Sequence, residues 1–533
     1  MLDLFAGAVA VFLACQAPQD PQRYDLVVKN ARLVDGVNRT VTNGDVAIRA
    51  GRIVALGAVQ RTADTPVLEV GGRCIAPGFV DVHTHVDSDV VRQPLAENFL
   101  RMGVTTLITG NCGSSVKDID GHLTRLENGG IGVNYGTLIG HGTVRTAVLG
   151  SANRAPDAAE LTRMQDLVEA GMSAGAFGLS TGLIYVPGTY AQRDEITALA
   201  AVAGRHGGVY ASHMRYEGDL VLEAIAETLT IGRDARLPVH ISHIKCTGKP
   251  NHGRAAEVLA VLQAARAQQQ VTADQYAYDA SSTGIDVLFP SAELAVGREA
   301  FAKRLGSEPE YRQQIHAALL RKMDEIGFGD FRHARIAAAK GNTDLNGLLL
   351  PAAAERRLGK ADRDAQAEIA IELFVAAAPA RVTMVYHSMA EADVERYMAQ
   401  DWIALASDSG LRSAASVDKP HPRGAGNTAR LLGRYVRERG VVDLPTAVHK
   451  LSDLPATIFG IEDRGALRVG AWADLVIFDP ATIIDRATYD APTLPPDGIA
   501  YVLVNGVVAV AEGQVTGVRA GQVLRHRAAG GGR

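Results

Sequence analysis

Short apolar runs, each ending in a polar residue with chemical potential, return about every 30 positions through the middle of this chain. This recurrence limits what it can fold into. Candidate strands end at His85, Cys112, His141, Thr181, His213, His243, Tyr278 and Asp408, with Ala-rich helical stretches between them. Strand alternating with helix predicts a parallel sheet, and eight such units close a (β/α)8 barrel. His83 to Cys112 spans 29 residues, Cys112 to His141 another 29, and His213 to His243 30. That is the pitch expected when roughly 250 residues make eight units. The C-terminal ends of barrel strands share one mouth, so the recurring polar residues converge there. A ninth apolar run, 381–387, exceeds the count and is assigned, with the helical stretch 293–377, to an insertion.

The chain ends follow a different pattern. Alternating strands appear near Tyr24–Val28 and 45–57, and again at 473–479 and 499–508. A small β-sandwich domain built from both ends, 21–75 with 457–527, therefore flanks a barrel spanning 76–456, with a helical insertion at about 290–380. Two domains suit 533 residues better than one core does. Residues 528–533, rich in Gly and Arg, form a tail expected to be disordered. The apolar run 4–14 is too short to span a bilayer and is read as part of an export signal over residues 1–20. Phe12-Leu13-Ala14-Cys15 approximates a lipobox, so a periplasmic protein or a lipoprotein anchored at Cys15 is expected. Net charge is −5 with no long basic run, which argues against a nucleic-acid partner.

Four residues or pairs carry the chemistry. In Val82-His83-Thr84-His85 the two imidazoles lie at i and i+2, hence on one strand face, where they can share a divalent metal. Cys112, between Gly110 and Gly113 at the next strand end, reads as a zinc-binding thiolate; Cys74 reads as structural. His213 and His243 end strands five and six, whereas His240 falls on the opposite face by strand parity and His141 reads as a lining residue. Asp408, after Ala404-Leu405-Ala406-Ser407, is the only carboxylate at the eighth strand end and suits a general base. No Gly-x-Ser-x-Gly elbow, P-loop or dinucleotide fingerprint stands out.

These motifs resemble the amidohydrolase superfamily in the entry strand Pro77-Gly78-Phe79-Val80-Asp81-Val82-His83-Thr84-His85 and the terminal Ala471-Trp472-Ala473-Asp474 strand. Gly110-Asn111-Cys112-Gly113, Ser212-His213-Met214-Arg215-Tyr216-Glu217-Gly218 and Ile241-Ser242-His243-Ile244-Lys245 narrow the resemblance to its D-aminoacylase (N-acyl-D-amino-acid deacylase) branch. The resemblance implies a tight zinc site of Cys112, His213 and His243, and a second, weaker metal position of His83, His85 and Asp408. It implies that Lys245, Tyr185, Tyr276 and Arg423 hold the α-carboxylate of an N-acyl amino acid, and that 384–389 borders the side-chain pocket. By strand parity Lys245 shares the face of His243.

The expected reaction is hydrolysis of an N-acyl-D-amino acid. The alternatives are a hydantoinase- or dihydropyrimidinase-like cyclic amidase, a dipeptidase-like enzyme, a deaminase and a non-enzymatic binding protein. Cys112 argues against the cyclic amidase, which needs a bridging lysine on strand four; 176–181 offers none.

Overall fold

The computed structural model describes residues 23–413 and 415–527. The export segment with Cys15 and the tail 528–533 lie outside the described residues.

Eight parallel strands form the central barrel: Phe79–Asp81, Val104–Thr109, Asn134–Thr137 continued by Ile139–Gly140, Gly178–Gly182, Val209–His213, Val239–Ile241, Val271–Gln275 and Ile403–Leu405. They are numbered here as barrel strands 1 to 8. The ring closes between strands 8 and 1, just beyond their regular ends. There the Asp408 amide donates to His83 O (2.9 Å) and the His85 amide to Ser409 O (2.9 Å), with Thr84 bridged to Ser409. Asp81 reinforces this seam, its buried carboxylate accepting the amides of Ser407 and His83. Barrel closure thus brings the His83–His85 segment beside Asp408 before any ligand enters.

Helices shield the barrel by burying one stripe. In Val221–Ala235 the buried residues Val221, Ala224, Ile225, Thr228, Ile231, Gly232 and Ala235 follow the three-to-four spacing of one helix face. Helix Ala158–Ser173 starts at a capping box in which Asp157 and Glu160 satisfy each other's end of the backbone.

Strands from both chain ends join one nine-strand sheet. Leu475–Phe478 runs antiparallel to Cys74–Pro77, which pairs in turn with Leu26–Asp35. The sheet curls over a core containing Val28, Leu33, Val46, Ile48, Ile75, Ile477 and Leu503, until the far strand, Arg52–Gly57, meets residues 470–473. Cys74–Pro77 leads straight into barrel strand 1 through Gly78. A Cβ there would meet Thr105 Oγ1 at 2.3 Å, so glycine is required at the crossing.

Residues 381–387 stay out of the barrel. Thr383–Tyr386 is the middle strand of an antiparallel sheet, between Ser281–Gly284 and Ala334–Ala338. This sheet and the helices Arg298–Ser307, Pro309–Glu325, Leu350–Leu358 and Arg363–Ala377 enclose their own core, centred on Phe289, Phe301 and Phe374. The insertion is therefore mixed rather than purely helical. Among the described residues, no helix is long and apolar enough to cross a membrane.

Candidate metal centre and active site

Six side chains from five strand ends meet at the barrel mouth. His83, His85, Cys112 and Asp408 bring ligand atoms within 4.8 Å of one another, and so do Cys112, His213 and His243. Cys112 belongs to both groups. Its Sγ lies 3.2 Å from His83 Nε2 and 3.6 Å from His243 Nε2, and His243 Nε2 lies 2.8 Å from His213 Nδ1. Asp408 Oδ1 lies 3.0 Å from His85 Nε2 and 3.6 Å from His83 Nε2.

Local backbone geometry aims three of these groups. Cys112, His243 and Asp408 have φ of 52°, 36° and 48°, in the left-handed region that side-chain-bearing residues seldom enter. Each stands just past a strand end, where reversed φ turns its side chain into the mouth; such strain is characteristic of functional sites. The Cys112 turn lies so close to strand 4 that a Cβ on Gly182 would meet Cys112 O at 2.1 Å.

This geometry corrects one sequence expectation. Strand 6 ends at Ile241, so strand parity does not place Lys245 relative to His243. Lys245 arrives by a turn, donating from Nζ to His243 O (2.8 Å) and to the buried Glu217 Oε1 (2.5 Å). Both Lys245 Nζ (2.7 Å) and Glu217 Oε1 (3.1 Å) reach His243 Nδ1. With Nε2 turned to the centre, the ring proton belongs on Nδ1 and is donated to Glu217 Oε1, so Lys245 Nζ, itself a donor, is bonded to that carboxylate and not to the ring nitrogen. Asp274 does the same for His83, with Oδ2 3.2 Å from Nδ1, while its Oδ1 accepts the His243 amide. His240 also bonds Asp274, through Nε2, so it braces the site from behind.

Glu217 and Asp274 were not among the residues singled out from the sequence. Glu217 lay within a motif already marked, four residues after His213, and Asp274 is a carboxylate inside the apolar strand 271–275. His141 stands outside the cluster, 2.8 Å from Glu195.

The electrostatics favour a cation. Burial pushes the Cys112 thiol up, but His83 and hydrogen bonds from His213, His243 and His83 overcome it and hold the thiol well below its ordinary range. Burial likewise opposes ionisation of Asp408, yet Arg423, His243 and His85 keep its carboxyl well below the usual value. Burial lowers His213 below its ordinary value, and its Nε2 has no partner. Thiolate, carboxylate and imidazole are the donor set of a divalent transition-metal site.

The substrate-binding candidates divide. Arg423 Nη2 pairs with Asp408 Oδ2 at 2.9 Å, while Arg423 Nε and Nη1 are buried without a partner. The guanidinium lies 4.5 Å over the Tyr276 ring. His421 sets its backbone: Nδ1 accepts the Arg423 amide (3.0 Å) and Nε2–H donates to Ala280 O (2.8 Å). Tyr185 packs edge-on against His213 and accepts from the Thr283 hydroxyl. A cavity of about 800 Å³ opens over the centre, lined by His85, Cys112, Tyr185, Asp408, Arg412 and Arg423. Lys245 and Tyr276 are not among its lining residues. In the segment 384–389, Met384 is buried in the insertion core and Met389 Sδ accepts from the Tyr276 hydroxyl at 3.6 Å.

Residues 67–510 match the family model described as the amidohydrolase family. The chain is 35% identical to the D-aminoacylase of Alcaligenes xylosoxydans xylosoxydans, covering 96% of this chain and 99% of that protein. It is 34% identical to the N-acyl-D-aspartate deacylase of the same organism, covering 95% of each. Its structure superposes on the N-acyl-D-glutamate deacylase of Bordetella bronchiseptica, solved with zinc and a phosphonate inhibitor, with a TM-score of 0.78 and 32% identity, covering 95% of this chain and 100% of that one. By family match, fold and near full-length similarity, this chain belongs to the amidohydrolase family.

Proposed function

We propose that this chain is a zinc-dependent deacylase that hydrolyses the linear amide of N-acyl-D-amino acids, giving a carboxylate and a free D-amino acid. The observation that carries this reading is the pairing of Asp408 with Arg423 beside a thiolate–imidazole cluster. One carboxylate faces the centre, and the cation that holds it keeps two donors open. Similarity to relatives named for deacylation of D-amino acids supports the substrate class.

Cys112, His213 and His243 would hold the tight ion, and His83, His85 and Asp408 a weaker one. Bound there, zinc supplies Lewis acidity, lowering the pKa of water toward ~7 and polarising a carbonyl. Asp408, ionised and aligned by His85 and Arg423, takes the proton of the attacking water. As the carbon–nitrogen bond breaks, Asp408 passes that proton to the departing nitrogen. The unpartnered Nη1 of Arg423 would donate a charge-assisted hydrogen bond to the substrate's α-carboxylate. Glu217 and Asp274 keep the rings of His243 and His83 turned toward the centre.

The test is a comparison of N-acetyl-D-amino acids with their L-enantiomers and with a hydantoin. Turnover confined to the D-acyl compounds supports the proposal. Turnover of the hydantoin alone would replace it with a cyclic amidase, a reading already disfavoured by the absence of lysine from strand 4, Gly178–Gly182.

A further inference from the structure

Two guanidiniums line the metal cavity beside Asp408, those of Arg423 and Arg412, and deacylation as described uses only the first. The two carboxylates of the same lining are taken: Asp408 pairs with Arg423 (2.9 Å) and Asp89 with Arg92. Among the described residues Arg412 pairs with no acid; its Nη1 donates to Leu411 O (3.0 Å), its Nε is buried without a partner, and its Nη2 makes no hydrogen bond. Burial and the like charge of Arg423 both push its guanidinium down, to about 10. Buried polar groups ordinarily have partners, so an orphaned cation beside a second cation marks a place for an anion.

Arg412 is fixed in that place. Asn98, buried on the helix Glu97–Arg101, donates from Nδ2 to Gly424 O (2.8 Å) and Gly410 O (3.4 Å), and its Oδ1 accepts the Arg412 amide (3.3 Å). One side-chain amide thus ties the Arg412 loop to the start of the Arg423 helix. The Arg412 side chain runs between two glycines. A Cβ on Gly424 would meet Arg412 Nε at 2.9 Å and Cγ at 3.0 Å, and one on Gly410 would come within 3.5 Å of Nη1. Gly424 directly follows Arg423, so this cradle seats Arg412 beside it.

Resting on the deacylase reading, we propose that Arg412 is the second arm of the site for the substrate's α-carboxylate, gripping it together with Arg423. Arg423 alone cannot hold both carboxylate oxygens. Its Nη2 is engaged by Asp408, and the two donors left, Nε and Nη1, share no edge of the guanidinium because Cδ stands between them. Lys245, the other cation expected there, is paired with Glu217 and stands outside the cavity lining. Arg412 keeps Nε and Nη2, the two donors of one edge, which is the edge that fits a carboxylate.

The experiment compares wild type with Arg412→Met, whose apolar chain still fills the glycine cradle, and with Arg412→Lys. Elemental analysis for zinc confirms an intact centre in each. Loss of one charge-assisted contact predicts a KM for N-acetyl-D-leucine raised about ten- to a hundredfold in Arg412→Met, with kcat changed by less than about threefold. Arg412→Lys should recover part of that affinity. N-acetyl-D-leucinamide keeps the scissile amide and the side chain but lacks the anion. Its inhibition constant should agree within about twofold between wild type and Arg412→Met. Should Arg412→Met fail to fold, the same pair of measurements on Arg412→Lys decides, with weakening of the acid alone expected. An unchanged KM for N-acetyl-D-leucine, or equal weakening of the acid and the amide, would overturn the inference. A wild type that hydrolyses no N-acetyl-D-amino acid would instead refute the parent deacylase reading, and this inference with it.

Discussion

Cys112 Sγ lies 3.2 Å from His83 Nε2, so the thiol joins two ligand groups, one from barrel strands 1 and 8 and the other from strands 5 and 6. Without it the Cys112–His213–His243 group is left with two ligands. Cys112→Ala is therefore expected to strip the tightly held metal: the purified variant should carry well under one equivalent by elemental analysis, where wild type retains about one. Full occupancy in the variant would place the tight site elsewhere.

Glu217 acts through His243. Removing the acceptor that orients a metal-bound imidazole typically weakens metal affinity about 10- to 100-fold. Glu217→Gln should show that loss in a competitive chelator titration, and added zinc should restore much of its turnover. A variant with unchanged affinity would make Glu217 only a partner for Lys245.

These two residues mark where sequence reading succeeded and where it stopped. Spacing at the barrel's pitch located Cys112, His213 and His243, because strands recur regularly, and the apolar run before it located Asp408. Alternation placed His83 and His85 together, since Thr84 between them still bridges to Ser409. It failed one step later, at Lys245. Past Ile241 the chain turns with φ 36° at His243, and no period-two rule survives such a turn. Glu217 and Asp274 went unassigned because a carboxylate behind a histidine has no spacing of its own; tertiary packing selects it. The run 381–387 resembled a barrel strand because its apolar pattern is that of any buried strand, and only pairing with Ser281–Gly284 and Ala334–Ala338 shows otherwise.

Asp408 is assigned the proton transfers, and Arg423 its alignment. Asp408→Asn is expected to keep the tight metal while lowering kcat by about 10²- to 10⁴-fold, the usual contribution of a general base. Parallel metal analysis separates this outcome from simple loss of zinc. A variant with near-wild-type kcat would assign the base to another group.

Lys450 links stability to pH. It is fully buried on helix Leu444–Leu451 and donates to the carbonyls of Gln400 and Ile403 at the start of strand 8. Burial pushes its ammonium down from 10.5 to about 7. Between about pH 7 and 10.5 the unfolded chain thus binds the proton that the folded chain has released, and stability rises with pH. The cost of charging Lys450 is fully present below pH 7 and gone above 10.5, a span worth a few kcal/mol at most. Urea midpoints for wild type and Lys450→Met at pH 6.5 and 9.5 should show wild type gaining on the variant as pH rises. A constant difference would mean that Lys450 keeps an ordinary pKa.

The central claim is that the Cys112–His213–His243 cluster holds the ion on which deacylation depends. Metal-free protein, prepared with a chelator and titrated with zinc, should be inactive on N-acetyl-D-leucine and gain activity in proportion to zinc bound, reaching its maximum at about one equivalent. Full hydrolysis by demonstrably metal-free protein, or zinc binding with no gain in hydrolysis, would contradict it.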